Sequence, residues 1–158
     1  MAIVQKGNSI LKKRALDVAE VKTPAVKKII HDMAEALFKE PDGIGIAAPQ
    51  IGVGLKIFLV AQDLLKHKYL VFINPELKKC SQKKHKDVEG CLSVRGWYGE
   101  VTRSEKIIVE YSDAEGKKHS RGASGLLARV IQHEIDHLNG ILFIDKAKKI
   151  QKIELPQK

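Results

Sequence analysis

Residues 124–138 form a helical repeat whose apolar side chains leave almost no polar face. Leu126, Leu127, Val130, Ile131, Ile135 and Leu138 lie nearly all round it. Such a helix is central: the rest of the molecule must pack on it from several sides. Ser124 stands at its N-cap position and Gly140 at C′. Set into this apolar frame is His133-Glu134-Ile135-Asp136-His137. Two imidazoles four positions apart share one helix face and can reach one metal ion, with Glu134 beside them to handle a proton. The fold must therefore wrap a buried helix and bring a further ligand to its last turns.

The other segments say what does the wrapping. Residues 23–40 read as a second helix, with Thr23 as N-cap, Pro24 in the first turn, and Val26, Ile29, Ile30, Met33 and Leu37 at helical spacing. Pro41-Asp42-Gly43 ends it, and residues 43–54 are rich in glycine and small side chains. Residues 55–61 and 69–74 read as strands, the second closed by Pro75; residues 78–86 are a basic loop or weak strand. Residues 101–102 and 107–111 are further strands, and the turn at 113–116 returns the chain as a hairpin over 117–121. From Asp145 onward, Lys146, Lys148, Lys149 and Lys152 suggest an exposed basic helix or frayed end. Strands and helices do not alternate regularly. The expectation is an α+β fold, mainly antiparallel sheets packed around the central buried helix, in one domain over 1–158.

Composition narrows the class. A chain of 158 residues with 44% hydrophobic residues can bury a core. No apolar run reaches the length of a membrane span, and residues 1–9 contain neither a secretory h-region nor an Arg-rich amphipathic stretch, so no membrane is expected. The two cysteines, Cys80 and Cys91, then read as free thiols in a reducing cytoplasm. A formal charge of +9 suits acidic surroundings such as nucleic acid or a ribosome surface, or simply a lysine-rich solvated exterior. The lysines are scattered and not interleaved with aromatics, which favours the second and gives no sign of sequence-specific nucleic-acid binding.

A catalytic site of this kind takes three protein ligands and keeps a position open. His133 and His137 supply two; a pair merely packed in the core is the bland alternative, and the acid between them speaks against it. Cys91 is the best third candidate, in the tight segment Glu89-Gly90-Cys91-Leu92-Ser93. Glu110 and Asp145 are weaker rivals. Cys80 lies among Lys78, Lys79, Lys83 and Lys84 and reads as exposed. Gly43 and Gly45, lacking side chains, let a substrate backbone come close, and an extended peptide can pair with that segment as an added strand.

Three segments together resemble the peptide deformylase family. Gly43-Ile44-Gly45-Ile46-Ala47-Ala48-Pro49-Gln50, Glu89-Gly90-Cys91-Leu92-Ser93 and Gln132 to Gly140 match the family's motifs in its order and with similar spacing. The resemblance covers nearly the whole chain. It implies a bacterial cytoplasmic enzyme that removes the formyl group from the N-terminal methionine of nascent polypeptides. It implies that Cys91, His133 and His137 hold one divalent ion, commonly Fe(II), with Zn, Ni or Co also acceptable to two imidazoles and a thiolate. Such an ion lowers the pKa of bound water from ~15.7 toward ~7. The resemblance makes Glu134 the general acid and base, and assigns the oxyanion to Gln50 and the backbone N–H of Leu92. It also lines a methionine pocket with Ile44, Leu126, Val130 and the flank of His133. Ribosome docking through the lysine-rich tail is implied by analogy.

Glu89 and Asp136 are acids beside ligand segments, fit to orient a ligand or to pair with Arg103. The role of Gln132 is open. Many family members have proline where this chain has Arg95, followed by Gly96 and Trp97. Arg95 reads either as a contact for an acidic peptide group or as solvated, and Trp97 as rim or core packing. Two other functions compete. A zincin-like endopeptidase would take its third ligand downstream of the helix motif. A silent binding relative would have no use for Glu134 and Gln50.

Overall fold

Residues 2–153 are described by a computed structural model. Among the described residues, eight strands form two antiparallel sheets, which pack with two α-helices. The larger sheet has the order β1 (Gly45–Ala47), β2 (Ile57–Asp63), β3 (Lys68–Cys80), β6 (Lys106–Ser112), β7 (Lys118–Ser124). The smaller has the order β4 (Lys84–Glu89), β5 (Trp97–Ser104), β8 (Lys148–Lys152).

The larger sheet is buried on both faces at β2, whereas β6 and β7 leave one face exposed. The alternate β2 residues Phe58 and Val60 pack with Phe72, Val109 and Tyr111 against α2 (Gly125–Leu138), through Ala128 and Ile131. Ile57 and Leu59 point the other way, to α1 (Pro24–Phe38), meeting Val26, Ile30, Met33 and Leu37. Period-two alternation in the strand and helical spacing in α1 thus place two apolar layers on one sheet. Burying one such Phe or Leu side chain is worth about 1.5–3 kcal/mol. Phe58 stacks on Phe72 at 4.5 Å, and Phe72 lies 4.3 Å from Tyr111.

Helix α1 begins as its sequence requires: the Thr23 hydroxyl accepts the Val26 N–H at 3.2 Å and Pro24 opens the first turn. Helix α2 is buried from Ala128 onward, but Leu126 in its first turn is 66% exposed, so the apolar girdle does not extend to that end. Ser124 occupies the N-cap position without a side-chain cap bond; it is also the last residue of β7, and its extended backbone leads straight into the helix. Gly140 ends α2 at φ +74°, with the Lys12 carbonyl oxygen 2.5 Å from where a Cβ would stand. Only glycine suits that turn.

Two expectations are corrected. Pro75 does not close a strand: β3 runs through it to Cys80. The ladder with β6 slips between Ile73 and Glu76, and Asn74 takes a left-handed φ of +50°. Pro75 therefore falls in a bulge, where its missing N–H costs no ladder bond. Asn74 is fixed there by its side chain, which accepts the Val18 N–H at 2.8 Å and donates to the Val18 carbonyl at 3.0 Å. The basic segment 78–86 becomes the end of β3 and the start of β4. The tail is not a helix. Residues Lys148–Lys152 form β8, fully exposed, and pair with β5 through Trp97↔Lys152 and Tyr98↔Gln151. Residues 154–158 of that tail lie outside the described residues. No helix among the described residues is long and apolar enough to cross a membrane.

Candidate active site

The end of β4 and the last turns of α2 meet beside β1. Cys91, His133 and His137 come together there, with one ligand atom from each lying within 4.8 Å of the others. Cys91 Sγ stands 3.2 Å from His137 Nε2, and the two imidazole rings are 5.1 Å apart at 69°. The rival ligands lie elsewhere: Glu110 pairs with Lys78 and Asp145 with Lys12. Cys80 is exposed, and both cysteines are free thiols.

The surroundings orient each imidazole. Glu89 Oε1 accepts from His133 Nδ1 at 2.8 Å, which turns Nε2 toward Cys91. Burial opposes ionisation of Glu89, but its bonds with Arg103 and His133 outweigh that and hold it well below the usual carboxylate range. Arg103 donates to both Glu89 oxygens, at 2.7 and 2.8 Å, and to Asp136 at 2.7 Å. Glu89 thus both orients His133 and pairs with Arg103, whereas Asp136 pairs with Arg103 and Lys146. Burial discourages charge on His133, yet its bonds with Cys91 and Glu89 prevail and raise its pKa to about 10. Burial and the neighbouring His133 keep His137 neutral. Gln132 faces away from the centre: it accepts the Ser104 N–H at 3.0 Å and donates to the Ser104 carbonyl at 2.9 Å, fastening α2 to β5.

Glu134 is 3% exposed. Burial pushes its carboxyl up to about 7, against the pull of His133 and Arg103. Its Oε2 and His137 Nδ1 are buried without a protein hydrogen-bond partner among the described residues. An unsatisfied carboxylate oxygen beside a thiol and two imidazoles is what a cation with bound water would complete. The donor set fits one divalent ion.

Gln50 is 1% exposed, with its amide held at both ends. Its Oε1 accepts the Ala47 N–H at 2.9 Å; its Nε2 donates to Ser93 Oγ at 3.1 Å and lies 3.6 Å from Cys91 Sγ. The amide orientation is thereby fixed, with the donor end toward Cys91. A strap from residues 4–6 crosses behind. Val4 N–H donates to the Gln50 carbonyl at 2.7 Å, Gln5 Nε2 to the Leu92 carbonyl at 2.9 Å, and Lys6 N–H to the Ser93 carbonyl at 2.7 Å.

A cleft of about 270 Å³ opens onto this centre. Gly43, Ile44, Gly45, Leu92, Leu126 and Val130 line it, as do Gln50, Cys91, His133 and Glu134. β1 is an edge strand of its sheet, paired only with β2 among the described strands. Arg95 is partly solvated, with its side chain 43% exposed, but it already has a carboxylate partner. It forms a two-pronged ion pair with Glu40 at 3.0 and 2.8 Å on the cleft wall. Trp97 lines the same cleft, 39% exposed, with Lys152 Nζ 5.8 Å from its ring. Sequence reasoning missed Arg129, which is buried beside Glu89, although an arginine one turn before His133 on an apolar helix was a visible signal.

A family model described as polypeptide deformylase matches residues 1–153. The chain belongs to the polypeptide deformylase family. A peptide deformylase of Pelotomaculum thermopropionicum is 44% identical over 153 residues, spanning 96% of this chain and 94% of that one. The crystal structure of a peptide deformylase from Synechococcus elongatus in complex with actinonin superposes with a TM-score of 0.87 at 36% identity, covering 94% of this chain and 79% of that one. A peptide deformylase from Acinetobacter baumannii, crystallised with Met-Ala-Ser bound, has a TM-score of 0.85 at 31% identity, covering 92% and 97%. As a deformylase, this chain removes the N-formyl group from nascent polypeptides, and its Cys91, His133 and His137 suit a single metal ion.

Proposed function

We propose that Cys91, His133 and His137 hold the ion, which is Fe(II) in the cell, and that Glu134 carries the proton in hydrolysis of the formyl–methionine amide. When bound, the ion supplies a nucleophilic oxygen near neutral pH and a positive charge for the developing oxyanion. The chain's own residues do the rest. Glu134 takes a proton from the attacking water as the new C–O bond forms at the formyl carbon. It returns the proton to nitrogen as the C–N bond breaks, releasing formate and a free methionine amine. A carboxyl with a pKa of about 7 can do both near neutrality. Gln50 Nε2 and the Leu92 N–H receive the negative charge, each donor worth about 3 kcal/mol. The strongest support is the gathering of Cys91, His133 and His137 ligand atoms within 4.8 Å of one another.

The substrate lies along β1. Gly43, Ile44 and Gly45 run beside its backbone, and Ile44, Leu126, Val130 and the flank of His133 receive the methionine side chain. The Acinetobacter enzyme with Met-Ala-Ser bound supports a formylated tripeptide as the probe. The chain works as one domain over 1–158 in the bacterial cytoplasm. To the exposed lysines of β8 (Lys148, Lys149 and Lys152) we assign contact with ribosomal phosphates, without base readout.

The test is formate release from formyl-Met-Ala-Ser by anaerobically purified protein loaded with Fe(II) or Ni(II). Turnover is expected; no formate from either loaded form rejects the proposed site.

A further inference from the structure

We infer that Arg129 is a positioning residue for the metal centre: it sets the register of α2 against the end of β4, so that the Cys91 thiol and the two imidazoles meet. The inference rests on the metal-site reading above.

Arg129, His133 and His137 follow one another at four-residue intervals and form one stripe along α2. Glu89, the last residue of β4, and Cys91, two positions beyond it, face that stripe. Glu89 spans its first two members, accepting from Arg129 Nη1 at Oε2 and from His133 Nδ1 at Oε1. Cys91 meets the third, with Sγ 3.2 Å from His137 Nε2. Strand end and helix therefore mesh at three points. Arg129 is the only member of the stripe that offers no metal ligand.

Its contacts go beyond charge pairing. Nη1 also donates to the Val101 carbonyl at 2.9 Å, and Nη2 to the His85 carbonyl at 2.7 Å. One guanidinium thus ties α2 to both β4 and β5 and to the carboxylate that orients His133. Its side chain is 10% exposed. A lysine at this position keeps the charge but loses the fork that reaches three acceptors. Arg103 makes the complementary tie on the far side of His133, through Asp136. With Arg129 removed, Glu89 still keeps Arg103 as its counter-charge, so the substitution withdraws the register contacts and does not strand a buried anion.

The experiment uses the full chain loaded with Co(II). The thiolate charge-transfer and d–d bands report ligand geometry, and transfer to EDTA reports retention. Arg129→Met is expected to weaken Co(II) binding by about 10–100-fold and to shift the d–d bands. Arg129→Lys should recover only part of both. A lowered melting temperature with wild-type bands and wild-type retention would mark a merely structural role and overturn the inference. Complete recovery by lysine would overturn it too, since charge alone would then suffice. If Arg129→Met does not fold, Arg129→Lys decides by the same two readouts: altered bands and retention support the inference, unaltered ones overturn it. A wild-type protein lacking the thiolate band would instead bring down the metal-site reading, and this inference with it.

Discussion

The carboxylate of Glu134 occupies the space that a side chain at Gly45 would need. A Cβ on residue 45 would stand 2.8 Å from Glu134 Oε1 and 3.0 Å from Val130 Cγ1. The glycine of this edge strand is therefore required by the acid behind it, whatever a substrate does in front. Gly45→Ala must push the carboxylate aside. The expected result is a 10–100-fold drop in kcat/KM for formyl-Met-Ala-Ser. Overpacking should cost about 1–3 kcal/mol of stability, with metal content unchanged. Wild-type kinetics in this variant would show that the position of Glu134 does not matter.

Glu134→Gln keeps shape and removes the proton carrier. It should bind one equivalent of metal, measured by elemental analysis, while formate release falls by about 10²–10⁴-fold. Full activity would mean that another group moves the proton.

The ion pairs of Glu89 link stability to acid. Its native carboxyl is depressed below the unfolded value of 4.5, so its stabilisation is complete above that pH and is lost as pH falls through the folded value. The melting temperature should fall on acidification below about 4.5. In Glu89→Gln it should start lower, and the slope in that window should be shallower. Parallel acid limbs in the two proteins would count against this origin.

These residues also show how far the sequence could be read. Both helices were legible because Thr23, Pro24 and Gly140 mark their ends, and because apolar spacing marks the faces they bury. The α+β class and the gathering of Cys91, His133 and His137 were legible from the pattern and from the resemblance. Pro75 misled because a bulge at Asn74 is a tertiary event, held by Val18 far away in the chain. The tail misled because five exposed residues become a strand only through β5. Nothing local in a lysine-rich run encodes that pairing. The partner of Arg95 was equally hidden, since Glu40 lies far away in the chain, in the turn after α1.

The strand character of the tail changes how its proposed contact with the ribosome should be tested. Cutting the chain at residue 146 would also remove Lys146, which pairs with Asp136 at 3.1 Å, and would uncover β5. Lys148→Gln with Lys149→Gln removes exposed charge without setting a like charge against Glu100, which faces Lys148 on β5 and pairs with Lys149 at 3.7 Å. Ribosome affinity should fall, and its dependence on salt should become shallower, with formate release from the tripeptide unchanged. Unaltered salt-dependent binding would remove β8 from the interface.

Residues 4–6 grip the carbonyls of Gln50, Leu92 and Ser93, and the last two adjoin Cys91 in one short segment. The charge-receiving donors and the thiol thus lean on one stretch of chain, while the two imidazoles stand on α2. A protease nick just after Lys6, or a bulky fusion that levers this strap away, would loosen donors and thiol together and leave the imidazoles in place. The clipped protein would turn over slowly and show a weakened thiolate band with cobalt.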